Sequence, residues 1–166
     1  MSVRIPDRDA MHVFGAELAG LLRAGDLVVL TGPLGAGKTT LTQGIARGLG
    51  VRGEVTSPTF VIARVHPSTV GGPALVHADA YRLGSGLELD DLDLDASLDE
   101  SVTVVEWGEG IAEVLSADRL EVRIDRPTGD EAASGSDAVE VRTVTVRGHG
   151  PRWQDVPLPA DPPGAR

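Results

Sequence analysis

The stretch that decides the fold reads Gly-Pro-Leu-Gly-Ala-Gly-Lys-Thr-Thr at residues 32–40. It matches the phosphate-binding P-loop pattern, in which a glycine and four residues are followed by Gly-Lys-Thr. Phosphates are held well by backbone N–H groups, and the three glycines leave that backbone free of side chains. Lys38 adds a point charge, and Thr39 is placed to offer its hydroxyl to Mg²⁺. The stretch therefore predicts a site for a nucleoside triphosphate.

The residues on either side support this interpretation. An apolar run at 27–30 predicts a buried strand, and apolar residues at 41, 45 and 49 before Gly50 predict a helix with a glycine stop. Lys38 is also the only lysine among the 15 basic residues of the chain. A compact ammonium suits a phosphate at this position better than a planar guanidinium.

Composition limits the remaining possibilities. The chain has 166 residues, a net charge of −10 and no cysteine. This length predicts a single domain, which we assign to residues 1–150, and we expect the proline-rich residues 151–166 to be a disordered tail. The acidic balance argues against a nucleic-acid surface, since such surfaces need clustered lysine and arginine. No apolar run approaches the roughly 18 residues of a membrane span, so we expect a cytoplasmic protein with no membrane contact.

Hydrophobic periodicity predicts an α/β fold, with a helix that starts at Asp7 or Asp9 and ends at Gly25. A turn at 67–73 between two strands predicts a hairpin, so the sheet should be mixed rather than wholly parallel. A second hairpin is expected in the C-terminal part of the chain, where the strands at 120–124 and 139–146 should pair. The predicted strands are 27–30, 60–65, 75–78, 102–105, 120–124 and 139–146.

The buried strand at 102–105 ends on Glu106. A P-loop site needs a carboxylate at a strand tip to complete the magnesium ligands opposite Thr39, so Glu106 is the leading candidate. The acidic stretch at 84–100 has alternating aspartates that suggest a calcium loop. However, the positions that such a loop reserves for glycine and glutamate hold Ala96 and Val102, so we expect a solvated loop.

Four blocks taken together resemble the TsaE (YjeE) family from about residue 7 to residue 146. The resemblance implies a P-loop NTPase-like three-layer sandwich with a mixed central sheet and a C-terminal β-hairpin. It also implies the ATPase subunit of the bacterial machinery that makes threonylcarbamoyladenosine (t6A) at tRNA adenosine 37. Such a subunit uses ATP and Mg²⁺ and binds the TsaD and TsaB proteins. Because the chain is acidic, we expect it to meet tRNA through that complex rather than by a basic surface of its own. Because it shows no obvious arginine finger, we expect it to hydrolyse ATP weakly alone. The blocks are the P-loop, Thr56-Ser57-Pro58-Thr59-Phe60, His77-x-Asp79-x-Tyr81-Arg82-Leu83 and Val105-Glu106-Trp107-Gly108-Glu109.

The resemblance also implies roles for individual residues. Thr39 and Glu106 would hold Mg²⁺, Asp79 would position or activate water, and Lys38, Asp79 and Glu106 would be the catalytic set. Thr59 would belong to a switch-like loop that senses the γ-phosphate, and Trp107 to a second switch-like segment. The residues expected to bind the nucleotide are Gly35, Ala36, Gly37, Lys38, Thr39, Thr40 and Thr59.

Several roles have structural alternatives. Asp79 could cap a helix, His77 could be a hydrogen-bonded core histidine, and Trp107 could simply pack in the core. Tyr81 and Arg82 could face either the partner or the site.

Other functions remain to be weighed. A nucleotide-dependent assembly switch would keep Lys38 but make Asp79 dispensable. A small-molecule kinase would need an arginine-rich lid, and the sequence shows no arginine cluster. A GTPase is disfavoured because its guanine-reading Asn-Lys-x-Asp motif needs asparagine, which the chain lacks.

Overall fold

The computed structural model describes residues 1–56, 63–80, 99–107, 110, 115–126 and 141–159. These residues form an α/β fold around one mixed sheet of seven strands. A short 3-10 helix, Pro151–Trp153, follows the last strand. The elements are β1 (Ser2–Ile5), α1 (Arg8–Ala19), β2 (Leu27–Thr31), α2 (Lys38–Leu49), β3 (Ala63–His66), β4 (Ala74–Asp79), β5 (Ser101–Glu106), β6 (Arg119–Asp125) and β7 (Arg142–His149).

The sheet has the strand order β1-β7-β6-β2-β5-β4-β3. The four central strands β6, β2, β5 and β4 are parallel, so their carboxyl ends meet at one edge. The outer pairs β3–β4, β6–β7 and β1–β7 are antiparallel. The predicted mixed sheet and both predicted hairpins are therefore confirmed. Ligands of such sheets bind beyond the carboxyl ends of the parallel strands, which is where the P-loop lies.

Both described helices pack on the same face of the sheet. Their apolar side chains share one core cluster with alternate residues of β2, β5, β6 and β7. The helices touch each other at glycines, since a β-carbon at Gly15 would lie 2.6 Å from the Leu41 carbonyl oxygen and one at Gly44 would lie 2.5 Å from that of His12. Among the described residues, no helix is long and apolar enough to cross a membrane.

The opposite face of the sheet carries a smaller apolar cluster that includes Leu27, Val29 and Val105. Among the described residues no α-helix covers this face, so the third layer of the predicted sandwich lies outside the described part of the chain. The acidic stretch at 84–100 also lies outside the described residues, except for 99 and 100.

The structure differs from the predictions in two ways near the N-terminus. The first helix is capped by Asp7, whose Oδ1 accepts from the N–H of Ala10 at 2.8 Å, but it ends at Ala19 rather than at Gly25. Gly25 instead forms a turn before β2, with φ of 90°. The strand β1 was not predicted, because it is short and its stability comes from pairing with β7 at the far end of the chain.

The prediction of a disordered tail over residues 151–166 is wrong for its first residues. Trp153 is 4% exposed and lies against Gly148 of β7. Arg152 forms a two-pronged ion pair with the buried Asp26, with N–O distances of 3.0 and 2.9 Å, and also donates to the Leu21 carbonyl oxygen at 2.7 Å. One indole and one guanidinium thus order a segment whose composition suggests disorder. Residues 160–166 lie outside the described part of the chain.

Candidate nucleotide-binding site

The loop at residues 32–37 joins β2 to α2 and presses against the neighbouring strand. Gly32 has φ of 144°, and a β-carbon there would collide with the carbonyl oxygen of Ile124 in β6. Gly37 begins α2 in a left-handed conformation with φ of 110°. Both positions therefore require glycine. The loop leads into the first turn of α2, whose N–H groups have no intrahelical acceptor and favour an anion.

Lys38 is almost fully buried beside this loop. Its Nζ donates to the carbonyl oxygens of Gly32 at 2.8 Å and Pro33 at 2.9 Å. Burial lowers the pKa of Lys38 below its usual value of 10.5, and the carboxylates of Glu106 and Asp79 oppose that shift. The two carboxylates thus favour the charged ammonium that a phosphate needs.

Trp107 covers the same ammonium from the other side. The centre of its indole ring lies 3.8 Å from Nζ of Lys38, which is a cation–π contact. Its backbone N–H donates to the carbonyl oxygen of Leu30 at 2.9 Å, so the residue is tied to the end of β2. Among the described residues it is the only non-glycine with positive φ, at 60°, a conformation that costs roughly 1–2 kcal/mol.

Thr39, Glu106 and His77 meet at one carboxylate oxygen. Oγ1 of Thr39 donates to Oε1 of Glu106 at 3.1 Å, and Nε2 of His77 lies 2.9 Å from the same oxygen. Because a carboxylate only accepts, Nε2 of His77 is the donor. Glu106 is 3% exposed and His77 is wholly buried, so these bonds offset the cost of burying the carboxylate. The hydroxyl and carboxylate are hard oxygen donors of the kind that Mg²⁺ prefers, so the residues present fit this ion.

Asp79 lies at the same edge of the sheet as Glu106. The two residues are directly paired in the parallel register of β4 and β5, and the N–H of Ala80 donates to the Glu106 carbonyl oxygen at 2.8 Å. Asp79 is half-buried, and its charge reaches Lys38. The strand ends therefore bring two carboxylates to one side of the P-loop.

Most of the predicted site residues converge at this edge. Thr59 lies outside the described residues, as do Tyr81 and Arg82. The residues that the structure brings together are Gly35, Ala36, Gly37, Lys38, Thr39, Thr40, Asp79, Glu106 and Trp107.

Three further residues were not assigned to the site from the sequence. His77 is a buried, hydrogen-bonded histidine, as the structural alternative for this residue predicts. However, its hydrogen-bond partner is Glu106, the candidate magnesium ligand. Two arginines also reach the loop: a β-carbon at Gly35 would lie 3.3 Å from Nη1 of Arg126, and one at Gly37 would lie 3.7 Å from Cδ of Arg142. The two arginines are 16 positions apart in the sequence, so no local arginine cluster marks them. Only the tertiary pairing of β6 with β2 and β7 brings them together.

Comparison with known proteins identifies a family for the chain. The sequence profile of the family described as "Threonylcarbamoyl adenosine biosynthesis protein TsaE" matches residues 5–133. A Streptomyces coelicolor protein named tRNA threonylcarbamoyladenosine biosynthesis protein TsaE is 66% identical over 144 residues, which is 86% of this chain and 93% of the relative. The Bacillus subtilis protein of the same name is 42% identical over 114 residues, 68% of this chain and 70% of the relative.

A solved structure shows the same fold. The crystal structure of YdiB from Bacillus subtilis aligns with a TM-score of 0.69 and 29% sequence identity. The alignment covers 92% of this chain and 88% of that structure.

Proposed function

Since this chain belongs to the TsaE family, whose members carry the name of tRNA threonylcarbamoyladenosine biosynthesis, we propose that it is a magnesium-dependent ATPase of that process. Its role would be to bind and hydrolyse ATP in support of repeated turnover by a complex of TsaD and TsaB. The net charge of −10 supports a contact with tRNA through that complex rather than through a basic surface of this chain.

The observation that carries the proposal is the meeting of Thr39 with Glu106 beside the ammonium of Lys38. The hydroxyl and carboxylate oxygens lie 3.1 Å apart, at the start of α2. A P-loop NTPase needs this combination of an ammonium, a hydroxyl and a strand-end carboxylate. A glycine-rich turn that served only the fold would have no reason to bury a lysine and a glutamate together.

Each residue would have a distinct task. Lys38 and the N–H groups of the loop would bind the β- and γ-phosphates, while Thr39 and Glu106 would hold Mg²⁺. The metal, when bound, would neutralise charge on the phosphoryl oxygens. Asp79 would orient a water molecule and accept its proton as the water oxygen bonds to the γ-phosphorus. The bond from that phosphorus to the bridging oxygen would break, which releases ADP and phosphate.

The exposed tip of the loop supports dependence on a partner. Leu34 is 86% exposed, although it lies next to the position proposed for the phosphates. A large apolar side chain at such a place is suited to burial against another protein. We therefore expect slow hydrolysis by the isolated chain and faster hydrolysis when TsaD and TsaB cover the loop.

Steady-state ATP hydrolysis, measured with and without purified TsaD–TsaB, tests activity and partnership together. The wild-type protein should turn over faster with the partners, and Lys38→Ala should abolish both ATP binding and multiple-turnover tRNA modification. Glu17→Gln is the matched control, because Glu17 is exposed on α1 and outside the site. Equal hydrolysis rates with and without the partners would contradict the partnership, and full modification by Lys38→Ala would contradict the ATPase role.

The alternative of an assembly switch is separated by Asp79→Ala. If hydrolysis drives turnover, this variant should bind ATP but fail to sustain repeated rounds of modification. A variant that hydrolyses nothing and still supports many rounds would favour the switch over the ATPase.

A further inference from the structure

The two sides of the P-loop carry opposite charges. On one side, β5 and β4 end at Glu106 and Asp79. On the other side, β6 is followed by Arg126, and β7 begins at Arg142. Because β2 lies between β5 and β6 in the sheet, the loop that follows β2 has an acidic flank and a basic flank.

If the proposed function holds, these opposite charges determine which end of a bound nucleotide lies on which side of the loop. Thr39 and Glu106 would fix the magnesium-bound end of the triphosphate toward the β5 side of the loop. The remainder of an extended nucleotide must then leave toward β6 and β7. The sugar and base would therefore lie over the flank that holds the two arginines.

Arg126 is placed to meet the base. Its Nη1 lies 3.3 Å from the position that a β-carbon of Gly35 would take, so the guanidinium lies over the middle of the loop. The residue is exposed, whereas Arg142 is half-buried and lies beside Gly37. A planar guanidinium stacks on an aromatic face, which an ammonium cannot do in the same way. We infer that Arg126 stacks on the purine ring of the nucleotide and so determines the affinity for the base rather than for the phosphates.

The affinity of the protein for ATP, which has a base, is compared with its affinity for tripolyphosphate, which has none. Dissociation constants are measured by calorimetry for ATP and for inorganic tripolyphosphate, each with magnesium. Arg126→Ala should weaken ATP binding roughly 3- to 30-fold, the range of a cation–π contact, and leave tripolyphosphate binding unchanged. Arg126→Lys should bind ATP almost as weakly as Arg126→Ala. Arg123→Ala is the matched control, because Arg123 is 68% exposed and paired with Asp125 at 2.9 Å.

The outcomes distinguish this inference from the function on which it rests. Equal weakening of both ligands by Arg126→Ala would show a phosphate contact and overturn the inference. Full recovery of ATP affinity in Arg126→Lys, or no loss in Arg126→Ala, would also overturn it. A wild-type protein that binds neither ligand would overturn the proposed ATPase itself.

Discussion

Replacement of His77 by leucine tests whether its buried imidazole orients the candidate magnesium ligand. The side chain is wholly buried, and its Nε2 donates to Oε1 of Glu106 at 2.9 Å. Leucine approximately preserves the volume and removes the donor. Glutamine can place an amide N–H near the position of Nε2, so His77→Gln is the conservative comparison.

The size of the effect follows from the lost hydrogen bond. A bond to a charged group contributes roughly 1.5–3 kcal/mol, and each 1.4 kcal/mol is about tenfold in affinity. Residues that orient a metal ligand typically affect metal affinity by about 10- to 100-fold. We therefore expect His77→Leu to weaken binding of magnesium-bound ATP about 10- to 100-fold, and His77→Gln to stay within about threefold of the wild type.

Calorimetric titration with ATP, in magnesium and again in EDTA, is the assay. In EDTA the wild type and both variants should bind ATP alike, because the hydrogen bond from His77 orients Glu106 for the metal, whereas the charge of Glu106 beside Lys38 is unchanged in the variants. Thermal denaturation of each variant shows that it is folded. A His77→Leu variant that keeps the wild-type affinity in magnesium, or that loses the same factor in EDTA, would refute this role of His77.

Three further predictions concern the loop, the helix contact and pH. Binding of magnesium-bound ATP should change the fluorescence of Trp107, because a phosphate must displace the indole from the ammonium of Lys38. The variant Trp107→Phe keeps one tryptophan and should lose this fluorescence change. A fluorescence change that persists in Trp107→Phe would count against the contact. Gly44→Ala should lower the free energy of unfolding in urea by about 1–2 kcal/mol, since overpacking against α1 exceeds the gain in helix propensity. Gly72→Ala should leave the free energy of unfolding unchanged, because its β-carbon would lie 3.8 Å from the nearest atom, Oγ of Ser68. Equal destabilisation by Gly44→Ala and Gly72→Ala would show that close packing at Gly44 is not the cause. Burial lowers the pKa of His66 below 6.5, so the stability that neutral His66 contributes is present above pH 6.5 and is lost as the pH falls below it. The melting temperature of His66→Asn should therefore decline less in acid than that of the wild type. Equal declines in melting temperature would exclude this effect of His66.

Local signals in the sequence were sufficient for the central part of the fold. The run at 27–30, the glycines of the loop and the apolar spacing before Gly50 predict β2, the P-loop and α2, and Gly50 does end α2 with φ of 65°. The strand ending on Glu106 was also found, because a continuous apolar run needs no knowledge of its neighbours. These elements carry the ammonium, hydroxyl and carboxylate of the candidate site.

Features that depend on distant pairing could not be predicted in the same way. The strand β1 alternates apolar and polar residues over four positions only, and β7 completes it. The hydrogen bond from His77 to Glu106 and the approach of Arg126 to Gly35 both join residues from different strands. No local pattern encodes which strands are neighbours, so these contacts appear only once the sheet is assembled.

The ion pair between Arg152 and Asp26 makes residue 150 a poor place to shorten the protein. Asp26 immediately precedes β2, the strand that leads into the P-loop, and it is 4% exposed. Removal of Arg152 and Trp153 would leave that carboxylate buried without its cation, and would expose part of the apolar core cluster to which Trp153 belongs. Loss of nucleotide affinity in a protein cut there would then report a loosened β2 rather than a role for the tail in chemistry.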